Sequence, residues 1–155
     1  MDEKRQILAI LESARQSLAQ TLPDVSDEQA RATPTAGALC LGGILKHVTY
    51  GETIWIDFVL DGEKVDHLDR YAASFRMAPH ETVTSLLDDY AATAKRTEEV
   101  VAALPELDTA HRLAEAPWYP PDTAWSAREV LLHILEETAQ HAGHADIIKE
   151  SLPAR

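Results

Sequence analysis

The sequence predicts an all-α fold: a four-helix bundle with long connecting loops. Three observations lead there. Four stretches of the 155-residue chain carry apolar residues at spacings of three and four. Proline, glycine or a small polar cap bounds these stretches. Nothing in the chain reads as a convincing strand pattern, and the loops after the second and third helices are long enough for crossover connections.

Taken in order, the first helix runs from Asp2 to about Leu22 with Ile7, Leu11, Ala14 and Leu18 inward, and Pro23 follows its end. Ser26 and Gln29 form a capping box for a short turn of helix, and Thr33-Pro34-Thr35-Ala36-Gly37 breaks the chain. The second long helix spans about Leu41 to Leu60 and stops at Asp61-Gly62. Its apolar face is Ile44, Gly51, Ile54, Trp55 and Phe58, with His47 in the middle. Residues 63–79 are polar and irregular and read as a long loop, a kind that is usually functional or mobile. The third helix is expected from about Pro79, as its first residue, to Ala103, with Val83, Leu86, Leu87, Tyr90, Ala94, Val101 and Leu104 as core candidates. Pro117-Trp118-Tyr119-Pro120-Pro121 then forbids continuous helix and leaves a short hairpin or extended lid. Ser126, with Glu129 completing a capping box, opens the fourth helix, and Pro153 closes it.

Composition narrows the class of function. A hydrophobic content of 45% suits one compact domain over residues 1–155. With 14 basic against 26 acidic residues, a net charge of -12, neither nucleic acid nor an anionic membrane is the expected partner. No apolar run approaches the roughly 18 residues of a membrane span, and Met1-Asp2-Glu3-Lys4 lacks the apolar core of a signal peptide, so the expected location is the cytoplasm. Cys40 is the single cysteine, which excludes an internal disulfide framework and a cysteine-rich zinc site. Any metal must be held by histidine and carboxylate.

The fourth helix carries such groups. At about 100° per residue, His133, Glu137, His141 and His144 fall within an arc of about 80°, on the side that also bears Val130, Ile134 and Ile148. Polar groups turned inward need partners, because burying them unsatisfied is costly. Two or three imidazole nitrogens and a carboxylate oxygen are a donor set for zinc, nickel or iron(II). A buried hydrogen-bonded network is the alternative, and the inward His47 shifts the balance towards a metal.

His47 on the second helix, followed by His133, Glu137, His141 and Ala142-Gly143-His144 on the fourth, resembles the DinB-like superfamily of metal-binding four-helix proteins. The last helix is particularly similar to an actinobacterial branch, and the likeness covers nearly the whole chain. Many members use three histidines. Here Glu137 replaces one, a pattern similar to mycothiol-dependent maleylpyruvate isomerase, so the resemblance implies His47, Glu137 and His141 as metal ligands, with zinc the first choice and nickel or iron possible. It also implies a low-molecular-weight thiol such as mycothiol as a cosubstrate. Three protein ligands would leave one position open, as catalytic zinc sites do.

His133 and His144 are expected to orient ligands, with His144 the better candidate for a catalytic base. The leading functional expectation is a divalent-metal-dependent S-transferase or related thiol-dependent enzyme acting on a small electrophile. A metal-activated-water hydrolase and a non-enzymatic metal-binding or stress-related protein are the alternatives. A homodimer formed through the first or fourth helix is also expected. Cys40 is read as a small apolar residue near a helix cap, Trp55 as core, and Glu52 as an exposed helix glutamate. Trp118, Tyr119 and Trp125 either line a pocket mouth or pack a loop onto the bundle. Arg70 and Arg76 are taken as solvated, and His67, His80 and His111 as exposed.

Overall fold

Each long helix begins where the sequence supplies an acceptor for its first free N–H groups. Asp2 accepts from the Lys4 amide, Cys40 Sγ from the Gly43 amide, and Thr82–Ser85 and Ser126–Glu129 make reciprocal capping boxes. The computed structural model describes residues 2–62, 68–117 and 119–153. Along them run α1 (Glu3–Ala19), α2 (Asp27–Arg31), α3 (Leu41–Asp61), α4 (Leu68–Ser74), α5 (Val83–Ala103), β1 (Ala110–Arg112), β2 (Ala124–Ser126) and α6 (Ala127–Glu150). Gly62 ends α3 in the left-handed region at φ 73°, where a side chain would be strained and would also strike the His111 ring.

Four of these helices form the bundle. In cross-section α1 neighbours α6 and α5, and α3 neighbours α5 and α6, so α1 faces α3 and α5 faces α6 across the diagonals. The crossovers therefore fall between α1 and α3, through α2, and between α5 and α6, through the β1–β2 hairpin. The long connection from α3 to α5 joins neighbours instead, which corrects the expected placing of one crossover. The hairpin is antiparallel, with His111 opposite Trp125, as the proline-rich stretch allowed. Among the described residues, no helix is long and apolar enough to cross a membrane.

Some boundaries differ from the periodicity. The first helix stops at Ala19, and residues up to Leu22 continue as turns whose Leu22 is still buried. The third begins at Val83 rather than Pro79, because the Thr82 side chain and amide take up the Ser85 partners that define a start. The supposed loop of residues 63–79 contains α4, a helix too short for a periodic signal. His67 and Trp118 lie outside the described residues.

The core has two apolar halves. One gathers Leu11, Trp55, Phe58, Val101, Leu131 and Ile134; the other gathers Leu18, Ile44, Leu45, Leu86, Ala142 and Ala145. The C-terminal half of α3 meets the N-terminal half of α6 in the first, and the reverse holds in the second, so these helices run antiparallel. Between the halves lies a polar layer. Arg15 and Glu52, with side chains 3% and 0% exposed, form a two-pronged ion pair across the α1–α3 diagonal, Nε donating to Oε2 at 3.3 Å and Nη2 to Oε1. Thr97 on α5 donates to Glu52 Oε1 at 2.5 Å. The Tyr90 phenol is pushed above its ordinary range by burial and by the Glu52 carboxylate. Glu52 is thus no exposed glutamate; the period that put it off the apolar face took no account of a partner arriving from α1.

A buried pair of this kind is costly to break and cheap to replace as a unit. Glu52→Ala, which leaves the buried Arg15 guanidinium with the 3.6 Å contact to half-exposed Glu12, should cost about 3–5 kcal/mol in urea unfolding. Arg15→Met with Glu52→Leu should restore most of that loss, and a double variant as weak as the single one would contradict the reading.

Candidate metal centre

His47 is placed by the middle of α3, and Glu137 and His141 by one turn of α6, where a spacing of four aligns their side chains. The antiparallel packing of these two helices brings the three together at the edge of the polar layer. His47 Nε2 lies 3.8 Å and His141 Nε2 3.7 Å from Glu137 Oε2, and one ligand atom from each residue lies within 4.8 Å of the other two. Donors about 2.1 Å from a tetrahedral ion stand about 3.4 Å apart. The separations are thus a little wider than ligation needs and too long for direct hydrogen bonds. His47 and His141 are buried, whereas the Glu137 side chain is 39% exposed, so the cluster opens to one side.

Each imidazole presents Nε2 to the centre and has its other nitrogen occupied. His47 Nδ1 is 3.0 Å from Ser74 Oγ, and His141 Nδ1 is 3.4 Å from His144 Nδ1. The Phe75 ring stacks on His47 with centroids 3.8 Å apart, and Tyr71 meets it edge-on at 5.3 Å. Ser74 and Phe75 were not anticipated; all that marks them in the sequence is a hydroxyl and an aromatic residue in a stretch read as a long loop. The His141 imidazole, and His47 after it, hold the Glu137 carboxyl well below the usual carboxylate range against the opposing push of burial.

The remaining predicted residues separate into three groups. His144 is half-buried and meets the cluster through His141. His133 points elsewhere: its ring packs against Trp55 and Trp125 at 5.0 and 5.2 Å, and Tyr119 stands edge-on to Trp125. The expected single inward arc is therefore the shoulder of α6, and only His141 of its four polar residues is buried. Arg70, Arg76 and His80 are exposed as expected. His111 is not; it is half-buried against Phe58, its Nε2 3.2 Å from the Val59 carbonyl oxygen. Cys40 is buried at the α3 cap.

Comparison with known proteins adds the family. The family model described as mycothiol S-transferase matches residues 6–154. The chain belongs to that family. Its fold is DinB-like, as the residues of α3 and α6 indicated. Among solved structures, the chain is similar to a conserved protein from Enterococcus faecalis, with a TM-score of 0.69 at 15% identity over 97% of both chains, a likeness of fold alone. No curated protein matches the sequence.

The Glu137 environment carries a pH consequence. A carboxyl whose native pKa is depressed contributes stability above its ordinary range and loses that contribution as pH falls through the lower native value. In metal-free protein the Glu137 side-chain carboxyl, followed by carbon NMR, should remain ionised through pH about 4, where a free glutamate is half protonated. A midpoint at or above that value would contradict the arrangement.

Proposed function

We propose that this member of the mycothiol S-transferase family is a divalent-metal-dependent enzyme that joins a low-molecular-weight thiol, mycothiol first, to a small electrophile. The observation that carries the reading is the convergence of His47, Glu137 and His141 from two helices on one point. The donor set fits. Two imidazole Nε2 atoms and one carboxylate oxygen suit zinc above all, with nickel or iron(II) as alternatives, and three protein donors leave room for a fourth ligand. A bound ion would supply Lewis acidity that favours thiolate over thiol at neutral pH.

In the overall reaction the thiol S–H bond breaks and a carbon–sulfur bond forms at the electrophile; a leaving group departs with its electron pair and the thiol proton is released with it, or, where nothing departs, the proton is added to the electrophile. The chain's own residues have defined tasks in it. His47 and His141 are buried and cannot swing into solvent, so they fix the centre, while the half-exposed Glu137 marks the side from which small molecules approach. The stacked Phe75 ring and the edge of Tyr71 shield His47 from water. For His141 to offer the lone pair of Nε2, its Nδ1 must carry the proton and donate to His144 Nδ1. That uses the lone pair of His144, so this geometry favours holding His141 in place over acting as a base. Use of an intracellular thiol fits a cytoplasmic location, and exposed Ile10 on α1 and Leu132 and Ile147 on α6 are apolar residues that a homodimer formed through these helices would cover.

Two sets of variants test this. His141→Ala should abolish both metal content and metal-dependent conjugation of mycothiol to a model electrophile, and wild-type protein without such conjugation over a broad electrophile panel would refute the transferase reading. His144→Ala should keep most of the metal and lower turnover about 10- to 1000-fold. His144→Asn, whose amide oxygen accepts a hydrogen bond but moves no proton, separates the two roles. Recovery of activity supports holding; its absence restores the base.

A further inference from the structure

One side chain outside the triad decides which nitrogen of His47 faces the centre. Ser74, at the end of α4, is 2% exposed, and its Oγ lies 2.6 Å from the Tyr71 carbonyl oxygen and 3.0 Å from His47 Nδ1. A hydroxyl has one proton to give, and a carbonyl can only accept. The Ser74 proton is therefore directed to Tyr71, which leaves an oxygen lone pair towards His47. For that 3.0 Å contact to be a hydrogen bond, Nδ1 must be the protonated nitrogen of the neutral ring, and Nε2 then carries the lone pair on the Glu137 side.

The same short segment fixes the ring in its other directions. Phe75 lies against the imidazole face at an interplanar angle of 19°, and Tyr71 against its edge at 80°. What sets the distance from this segment to α3 is Gly43, since a Cβ there would overlap the Phe75 carbonyl group. Cys40 lies beside the same carbonyl, its Sγ 4.0 Å from the oxygen. The backbone of residue 75 thus rests directly on the first turn of α3, one turn before His47, and no side chain intervenes.

We infer that Ser74 is the positioning residue of His47: it locks the Nδ1–H tautomer and aims Nε2 at the point shared with Glu137 and His141, with Gly43 holding Ser74 at the required distance. The tautomer stands on the hydrogen-bond geometry alone, whereas its effect on metal affinity rests on the centre proposed above. A residue that orients a ligand in this way typically changes metal affinity about 10- to 100-fold when removed.

The experiment reads both quantities on the full chain. Long-range nitrogen–proton NMR of metal-free protein at about pH 8, where an imidazole is ordinarily neutral, reports the tautomer of His47, identified by the signal lost in His47→Gln. Zinc affinity is measured by competition with a chromophoric chelator. Wild type should be the Nδ1–H tautomer. Ser74→Ala should give a mixture and bind zinc about 10- to 100-fold more weakly, Ser74→Thr should recover both values, and Gly43→Ala should resemble Ser74→Ala although it touches neither ring. An Nε2–H tautomer in wild type overturns the inference. So does a Ser74→Ala variant that melts earlier but keeps the wild-type tautomer and zinc affinity, since the hydroxyl would then serve only the end of α4. Wild-type protein with the Nδ1–H tautomer and no zinc affinity upholds the lock and refutes the metal centre instead.

Discussion

The register of α3 against α6 is the constraint on which the centre depends. His47 reaches the point shared with Glu137 and His141 only if these antiparallel helices keep one longitudinal alignment, because a slip of one helical turn displaces a ligand by about 5.4 Å. Apolar packing on both sides of the polar layer fixes the alignment coarsely. Ile44, Leu45 and Val48 meet Ala142 and Ala145 on one side, and Trp55 and Phe58 meet Leu131 and Ile134 on the other. Hydrophobic contact alone is tolerant of sliding; the Arg15–Glu52–Thr97 connections hold α3 at one level against α1 and α5, and α6 meets that level through its packing on α1 and α3. Buried polar groups of this sort are better explained by specificity than by stability, since an apolar replacement of equal volume often does as well energetically.

Chemical differentiation within the triad follows from where each residue sits on its helix. His141 lies on the buried side of the α6 shoulder, and Glu137, one turn earlier, lies nearer solvent. The result is two rigid imidazoles and one carboxylate that can respond to what enters. Both histidines have a second group on Nδ1, Ser74 for one and His144 for the other. Orienting partners of this kind are a usual accompaniment of metal-ligating histidine and are less expected of a simple buried network, in which the ring nitrogens would bond to each other or to the carboxylate directly. At 3.7 and 3.8 Å they do not.

Much of this was legible in the sequence, and for identifiable reasons. The caps at Ser26 and Ser126, the stop at Gly62 and the helical spacing of α3 and α6 are local signals, and all of them recur in the structure. Helical spacing put His133, Glu137, His141 and His144 on one face of α6 and His47 inward on the second helix, but it was the family resemblance that singled out His47, Glu137 and His141, the three that stand together in the structure. Glu52 was misread because its partners, Arg15 and Thr97, are remote in the chain, and no periodicity encodes a salt bridge across a bundle diagonal. His133 was grouped with the cluster because an angular arc on α6 does not say how far along the axis a neighbour lies; Trp55, two turns after His47, takes it instead. Ser74 escaped because seven residues of helix carry no pattern.

The most direct test of the centre is X-ray absorption at the zinc edge of zinc-loaded protein, before and after addition of mycothiol. The proposed chemistry predicts imidazole scattering from two histidines within a shell of light donors at about 2.0–2.2 Å, and then one sulfur scatterer at about 2.3 Å once the thiol is present. A shell lacking imidazole, or one already closed by four protein donors and unchanged by the thiol, would contradict it.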